Sequence, residues 1–412
     1  MIRVARLAAV GALAASLACA SAEPGREIVW WTPSWGQARA EVLADKFEAA
    51  HPGVTVKLEV TVADGLPTRI QTALRSGSPP DLIEAQHAWV VPYAQANLLQ
   101  PLDDVIEDRG DFLPASLEYD TWDGRLWAIP FRIETHALFY NRRMFREAGL
   151  DPDTPPQTWP ALVDAAKTLT RTNSAGRRQY GYAITGGGEV GNTLFRTLPL
   201  MWMNGGDIVS ADLSRATVNA RPAVEAVTFY ADMLTRHKVS PPSTLQDDGL
   251  AIRRLFVAES VAMYQSGPFD IAPIRRENPA LDLGVMMLPT PTGGEPAVAL
   301  GGWSFIVPKD AKQPGLARSL VRFLAESENM GYFTDTFPAR RSAMALPRFA
   351  DPILENFKKM LTYARRLPAH KNWLQIVQVY FDHVQRVLVG DVPAERAMNE
   401  AAIEIDRLLA SP

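Results

Sequence analysis

The sequence predicts an α/β protein of two lobes, and three observations carry that reading. Residues 27–85 alternate as β-α-β-α-β, an extended segment broken by Pro130 follows, and the alternation restarts beyond it. A chain of 412 residues also exceeds what one ordinary core sustains, so two large lobes are the simplest division.

Residues 27–31 read as a short strand and Thr32-Pro33-Ser34-Trp35-Gly36 as the loop after it. In the following helix Val42, Leu43, Phe47 and Ala50 make one apolar face, and His51-Pro52-Gly53 ends it. Residues 54–62 alternate as a second strand, residues 66–76 form a helix closed by Gly77, and residues 81–85 form a third strand after Pro79-Pro80. This order predicts a mainly parallel sheet with helices on both faces, where ligands meet loops at the carboxyl ends of strands. Those loops are residues 32–36 and 86–89, which makes Ser34, Trp35, Gln86 and His87 candidate contacts.

The segment LWAIPFRIETHALFYNRRMFREAGL, residues 126–150, follows the turn Asp123-Gly124. Pro130 interrupts an extended run that resumes at residues 137–140, so the chain can serve one body before the proline and another after it. Glu134 falls at that crossing, either as a ligand contact in a narrow cleft or as a solvated glutamate on a bulged edge strand. Helices follow at 159–170, 192–203 and 221–237, with a strand at 180–185; Val224, Val227, Tyr230, Ala231 and Leu234 form a stripe that reads as core. Residues 260–265 and 281–287 read as strands, 288–294 as a Pro/Gly-rich return, 298–308 as a buried strand, and the chain from Lys312 on as mostly helical. With a further crossing at 326–330, the lobes become 23–131 with 285–328, and 132–284 with 329–412. Several crossings allow mainly bending, and the closed form wins only when a ligand touches both lobes.

The N-terminus reads as an export signal over residues 1–22: Arg3 and Arg6 precede an apolar stretch that ends in Ala20-Ser21-Ala22. That stretch is shorter than the ~20 residues a membrane span needs. Cys19, the only cysteine, lies within it, which excludes structural disulfides. Ser16-Leu17-Ala18-Cys19 partly resembles a lipoprotein box, but its leucine stands one place too near the cysteine, so cleavage after Ala22 is favoured over lipid anchoring. The expected location is the periplasm or the extracellular face. Removal of Arg3 and Arg6 makes the formal charge of −4 more negative still, which excludes nucleic acid as a partner.

The sequence holds no HExxH, GxSxG, P-loop lysine or metal-spaced Cys/His cluster, so neither an enzyme nor a cofactor is expected. Gly186-Gly187-Gly188-Glu189-Val190-Gly191 does match the dinucleotide fingerprint, and Asp207 follows at about the ribose-binding distance. Asp207, however, follows Asn204-Gly205-Gly206 rather than a second strand, which favours a plain glycine loop. His87 at a strand end is a ligand candidate, while His136 within the crossing reads as structural. Trp35, Trp202 and Trp303 stand at loop or element ends where an indole can face a sugar ring, whereas Trp30, Trp127 and Trp159 read as packing. Arg340, in Phe337-Pro338-Ala339-Arg340-Arg341, is placed on a proline-fixed turn to aim its forked donors at a ligand.

The ordered set IVWWTPSWGQARAEVLADKFEAAHPGVTVKLEV, SGSPPDLIEAQ, DGRLWAIPF, LFYNRRMFREAGLDP, LFVAESVAMYQSGPFD, LGVMMLPTPTGGEP, GGWSFIVPKDAKQPGLARSLVRFL and FPARRSA spans the chain beyond the signal. Together these motifs resemble the family 1 extracellular solute-binding proteins of carbohydrate ABC importers, the group of maltose-binding and glycerol-3-phosphate-binding proteins. The resemblance implies a class II periplasmic-binding-protein fold, a monomer, and delivery of solute to permease subunits. It implies that Glu134 holds sugar hydroxyls, that Phe269 stands where many relatives carry a stacking tryptophan, that Gly301 and Gly302 bring backbone to the ligand, and that Arg340 matches an arginine used by several relatives. Gln86 and His87 replace the Asp/Ser-type residues common there. The expected ligand is a mono- to trisaccharide; a glycerol phosphodiester or other anionic glycoside stays open through Arg132, Arg340 and His87. The rival of another class is an exported oxidoreductase using residues 186–191. A glycosidase ranks below it, because Glu134 has no identifiable carboxylate partner.

Overall fold

Ile28, Val29, Trp30 and Trp31 suit a pleated, half-buried surface and form β1 (Arg26–Pro33). The computed structural model describes residues 26–62, 65–173 and 176–411; the predicted signal, Cys19 and the start at Glu23 lie outside the described residues. Helix α1 (Gln37–Ala50) leads to β2 (Val54–Thr61), and α2 (Leu66–Arg75) to β3 (Leu82–Gln86) and α3 (His87–Gln95). The face that α1 buries is Ala40, Leu43, Ala44 and Phe47. Val42 and Ala50, expected on that face, are exposed: Val42 turns away from Leu43 by about 100° around the helix, and Ala50 is the helix's last residue.

Strand β4 (Ile129–Glu134) passes through Thr135 and His136 into β5 (Ala137–Asn141). Then come α4 (Val190–Met203), α5 (Arg221–Thr235), β6 (Met263–Ser266), β7 (Leu283–Met286), the short β8 (Val298–Ala299) and β9 (Gly301–Ile306). The chain continues through α6 (Ser327–Phe333), β10 (Phe337–Pro338), α7 (Glu355–Leu361), β11 (Ala364–Arg365), α8 (Trp373–Leu388) and α9 (Ala394–Ala410).

Two sheets organise these elements. One has the order β10-β4-β9-β3-β1-β2, the other β6-β5-β7. The first three strands are parallel as predicted, but β9 lies between β3 and β4 and is antiparallel to both. It comes from the second half of the chain, long after both of its neighbours. Residues 180–185 do not make a full strand; Tyr180 and Ala183 form single bridges to Val261 and Tyr264.

Every change of sheet falls later than the sequence suggests. Pro130 does not break β4, because its missing N–H lies opposite Ser304 where the register shifts, and a bulge needs no donor there. The first passage is at Thr135-His136. The second runs through β8, which pairs with β11 between the two sheets, so the buried strand expected over 298–308 is split after Ala299. Helix α6 stays with the first sheet, where Arg39 Nε donates to the Phe333 carbonyl at 2.7 Å, and β10 pairs with β4. The third passage follows β10: Thr135 Oγ1 donates to the Phe357 carbonyl at 3.1 Å, and the Phe357 ring lies 5.7 Å from Phe139 of β5.

Under the larger sheet Trp30, Phe131, Phe305 and Phe333 form an aromatic cluster, with Phe131 stacked on Phe305 at 4.2 Å. Glu84 of β3 is buried among them and accepts from Trp30 Nε1 at 3.1 Å. Burial pushes its carboxyl up to about 8, against the opposing pull of Thr32 and Trp30, which favour the charged form. Between about 4.5 and 8 the folded chain holds a proton that the unfolded chain has lost, so stability falls as pH rises through that window. Glu84→Gln stays neutral throughout. Its unfolding free energy in denaturant titrations is expected to fall less than the parent's between about pH 5 and 8, a difference on the order of a few kcal/mol.

Candidate functional site

Between the two sheet-centred halves lies a cavity of about 840 Å³. The first half contributes α2, Gln86 at the end of β3, and α3 with Trp89 and Tyr93; the second contributes the start of α4 with Phe195, and α8 with Trp373 and Phe381. Amides dominate its polar lining: Gln71, Gln86, Gln95, Asn372, Gln375 and Gln378. Each amide offers donors and acceptors, and each ring an apolar face, which together suit a polyhydroxylated solute. Arg75 and Lys371 stand on opposite sides, with Glu189 as the acidic residue of the described lining.

The floor beside the cavity is built where β9 meets β4, with Gly301 opposite Glu134. Glu134 Oε2 accepts from Arg132 Nη2 at 2.6 Å and Nε at 3.0 Å, and Arg132 Nη1 lies 3.2 Å from Asp335. Burial raises the Glu134 pKa, against the opposing pull of Arg132. The Arg132 guanidinium lies 4.3 Å from the Trp35 ring centre and 5.8 Å from that of Phe269, which brings one ring from each half to it. Indoles continue toward the cavity, from Trp35 to Trp303 at 5.4 Å and on to Trp89 at 5.6 Å. Gly302 has φ +146°, a region that favours glycine, and a Cβ there would lie 2.1 Å from the Arg132 carbonyl oxygen.

The predicted residues thus divide. Gln86 lines the cavity; Trp35, Glu134, Phe269, Gly301, Gly302 and Trp303 form or border the floor. Ser34 is exposed, donates its backbone N–H to the Thr61 carbonyl and does not reach the cavity. His87 is buried rather than open to the cleft: Nδ1 meets Ser304 Oγ at 2.7 Å and Asp120 at 3.2 Å, and Ser304 donates to Asp120 at 2.5 Å. Its Nε2 lies against Gly302. Trp202 is also buried, its indole donating to Asp207 at 2.9 Å, which leaves neither residue at the cavity. Of the three expected packing tryptophans, Trp30 and Trp159 are buried and Trp127 is half-buried.

Arg340 serves the first half internally. It pairs with Asp111 at 2.9 Å and with Asp108, and donates to the Ala325 carbonyl at 2.6 Å. Adjacent carboxylates took the donors that the sequence reserved for a ligand. Arg340→Ala is therefore expected to lower stability by about 1–3 kcal/mol in denaturant unfolding while leaving solute affinity within about twofold.

The glycine loop is closed by protein at Gly186 and Gly187, while residues 188–191 line the cavity. Gly186 and Gly187 donate their N–H groups to the Thr244 and Asp247 carbonyls, and a Cβ on Gly187 would stand 2.2 Å from the Gln246 carbonyl oxygen. The close approach that Gly186, Gly187 and Gly188 permit is to residues 244–248, and the first two amides bond to carbonyls there instead of facing a pyrophosphate. No cluster of acids, histidines or cysteines fit for a metal occurs among the described residues.

Sequence reading missed Asp335, Trp89, Phe195 and the whole wall from α8. A signal for α8 existed: Gln375 and Gln378, three apart, lie on one face of a helix whose other face buries Ile376, Val377 and Tyr380. That pattern is also the pattern of any solvated amphipathic helix.

Two α/β halves joined by three passages, with an aromatic and amide-lined cavity between them, define a two-lobed solute-binding protein of the class II periplasmic-binding-protein fold. Residues 31–331 match the bacterial extracellular solute-binding protein family, and the chain belongs to it. It is 26% identical over 379 residues to a binding protein of Brucella abortus, covering 90% of this chain and 89% of that one. To the sn-glycerol-3-phosphate-binding periplasmic protein UgpB of Pectobacterium atrosepticum it is 30% identical over 191 residues, 42% of this chain and 41% of that one. An ABC transporter solute-binding protein of Thermotoga lettingae bound with alpha-D-tagatose superposes with a TM-score of 0.86 at 26% identity, over 93% of this chain and all of that one. Maltose-bound MalE3 of T. maritima shares the fold, with a TM-score of 0.84 at 22% identity over 93% and 99% of the two chains. No helix among the described residues is long and apolar enough to cross a membrane.

Proposed function

We propose that this protein captures a neutral carbohydrate or sugar-like solute of one to three rings between its lobes and hands it to the permease of an ABC importer. The observation that carries the reading is the cavity of about 840 Å³ lined from both halves by rings and amides. Its size falls within the about 300–1,000 Å³ of small-molecule sites. Amides can match a hydroxyl as donor or acceptor without adding charge. In this reading Gln86, Glu134, Phe195 and the backbone at Gly301 and Gly302 meet the solute, Trp35, Phe269 and Trp303 shape the floor, and closure buries the solute without chemical change. The protein works as a monomer in the periplasm after cleavage at Ala22, and the lobes divide at the three passages between sheets.

A second reading, an anionic glycerol ester, is favoured by Arg75 and Lys371 in the lining and by the relationship to UgpB. A thermal-shift panel of D-tagatose, maltose, maltotriose and glycerol 3-phosphate separates the two. Stabilisation by a sugar but not by the phosphate supports the first, the reverse supports the second, and no shift with any solute removes both for these ligand classes.

A further inference from the structure

Glu134 uses its two carboxylate oxygens differently. Oε2 accepts both hydrogen bonds from Arg132, whereas no hydrogen bond reaches Oε1 among the described residues. Oε1 lies beside Gly301: a Cβ there would stand 3.2 Å from it and 3.4 Å from Phe195 Cε1, and Phe195 lines the cavity. Arg132 is in turn only 5% exposed, held by Asp335 and stacked on Trp35. A planar guanidinium fixed on three sides has little freedom to release its partner.

We infer that Arg132 is a positioning residue of the cleft: by binding one oxygen of Glu134 it keeps that carboxylate charged and presents the other oxygen to a hydroxyl of the bound solute. The inference deepens the carrier reading, and only its binding arm rests on that reading. A charged acceptor makes a hydrogen bond roughly twice as strong as a neutral one. It also repels an anion, so the inner end of the cleft selects a hydroxyl donor, and any anionic group of a solute would face Arg75 and Lys371. Around Glu134, Arg132 and His87 favour the charged form, while burial and Asp335 oppose it. Arg39 stands 3.8 Å from Asp335, Glu84 lies beyond Arg132, and His136 follows on the chain beside the Phe195 and Phe269 rings.

The test follows the Glu134 carboxyl by NMR in exported protein carrying 13Cδ-glutamate, with the signal assigned by its loss in Glu134→Gln. The parent is expected to be ionised at pH 7, and Arg132→Met to raise the titration midpoint by at least one pH unit, a tenfold change in the ratio of charged to neutral forms. Arg132→Lys, which keeps charge but loses the fork, should fall between them and serves if the methionine variant does not fold. An unchanged midpoint, or a parent already neutral at pH 7, overturns the inference. In calorimetry with D-tagatose, maltose and glycerol 3-phosphate, each solute the parent binds should bind Arg132→Met at least tenfold more weakly at pH 7, with affinity regained above the raised midpoint. A loss equal at every pH would mean that Arg132 only packs, and would also overturn it. If the parent binds none of the three, the carrier reading fails for these solutes while the titration still decides the role of Arg132.

Discussion

Gly302→Ala is expected to lower stability by about 3 kcal/mol or more, read as a fall in both the melting temperature and the denaturant midpoint. Two costs combine. The backbone at φ +146° is one that side chains rarely adopt, and the new methyl would sit 2.1 Å from the Arg132 carbonyl oxygen and 2.5 Å from His87 Nε2. Neither neighbour can yield, because the carbonyl belongs to a central strand and His87 is fastened to Asp120 and Ser304. Gly315→Ala is the control: nothing lies within 4 Å of the added atom, and alanine favours a helix, so that variant should match or slightly exceed the parent. Gly301→Ala should differ from both. Its Cβ would meet the Glu134 side chain at 2.9 Å and no backbone atom, so it displaces the carboxylate that Arg132 holds, and binding suffers more than stability.

Phe195→Ala is expected to cut solute affinity by roughly 2 kcal/mol, about thirtyfold, through the apolar wall it removes. The side chain is half-buried on α4 and faces the cavity, so the fold keeps most of its stability. Gln86→Ala, on the facing lobe, should cost about 1 kcal/mol, the worth of one neutral hydrogen bond. The variants report on opposite lobes. If the solute touches both, the two losses add in isothermal titration and the double variant no longer closes; a loss from one side alone would mean that the solute lies on a single lobe.

The alternating elements and the ordered family motifs were legible in the sequence because both are local. Helices α2, α4 and α5 lie within a few residues of their predicted spans, since the apolar period is written within each segment. What depended on distant partners was not legible. Pro130 looked like a break, because only pairing with β9, far along the chain, shows that β4 bulges at Phe131 and that the missing donor costs nothing. Trp202 looked free until Asp207 took its indole, and Arg340 until Asp108 and Asp111 took its guanidinium. Arg132 drew notice only as a cation, whereas its contacts with Trp35, Glu134 and Asp335 make it the centre of the floor. The α8 wall was hidden for another reason, since an amide face toward a cavity and one toward bulk water have the same spacing.

Small-angle X-ray scattering of the protein, without solute and saturated with whichever sugar of the panel binds, tests the carrier account most directly. The account predicts that the radius of gyration falls when the sugar binds and that Phe195→Ala at the same sugar concentration stays at the larger value. A bound sugar with an unchanged radius would contradict closure of the two lobes around it.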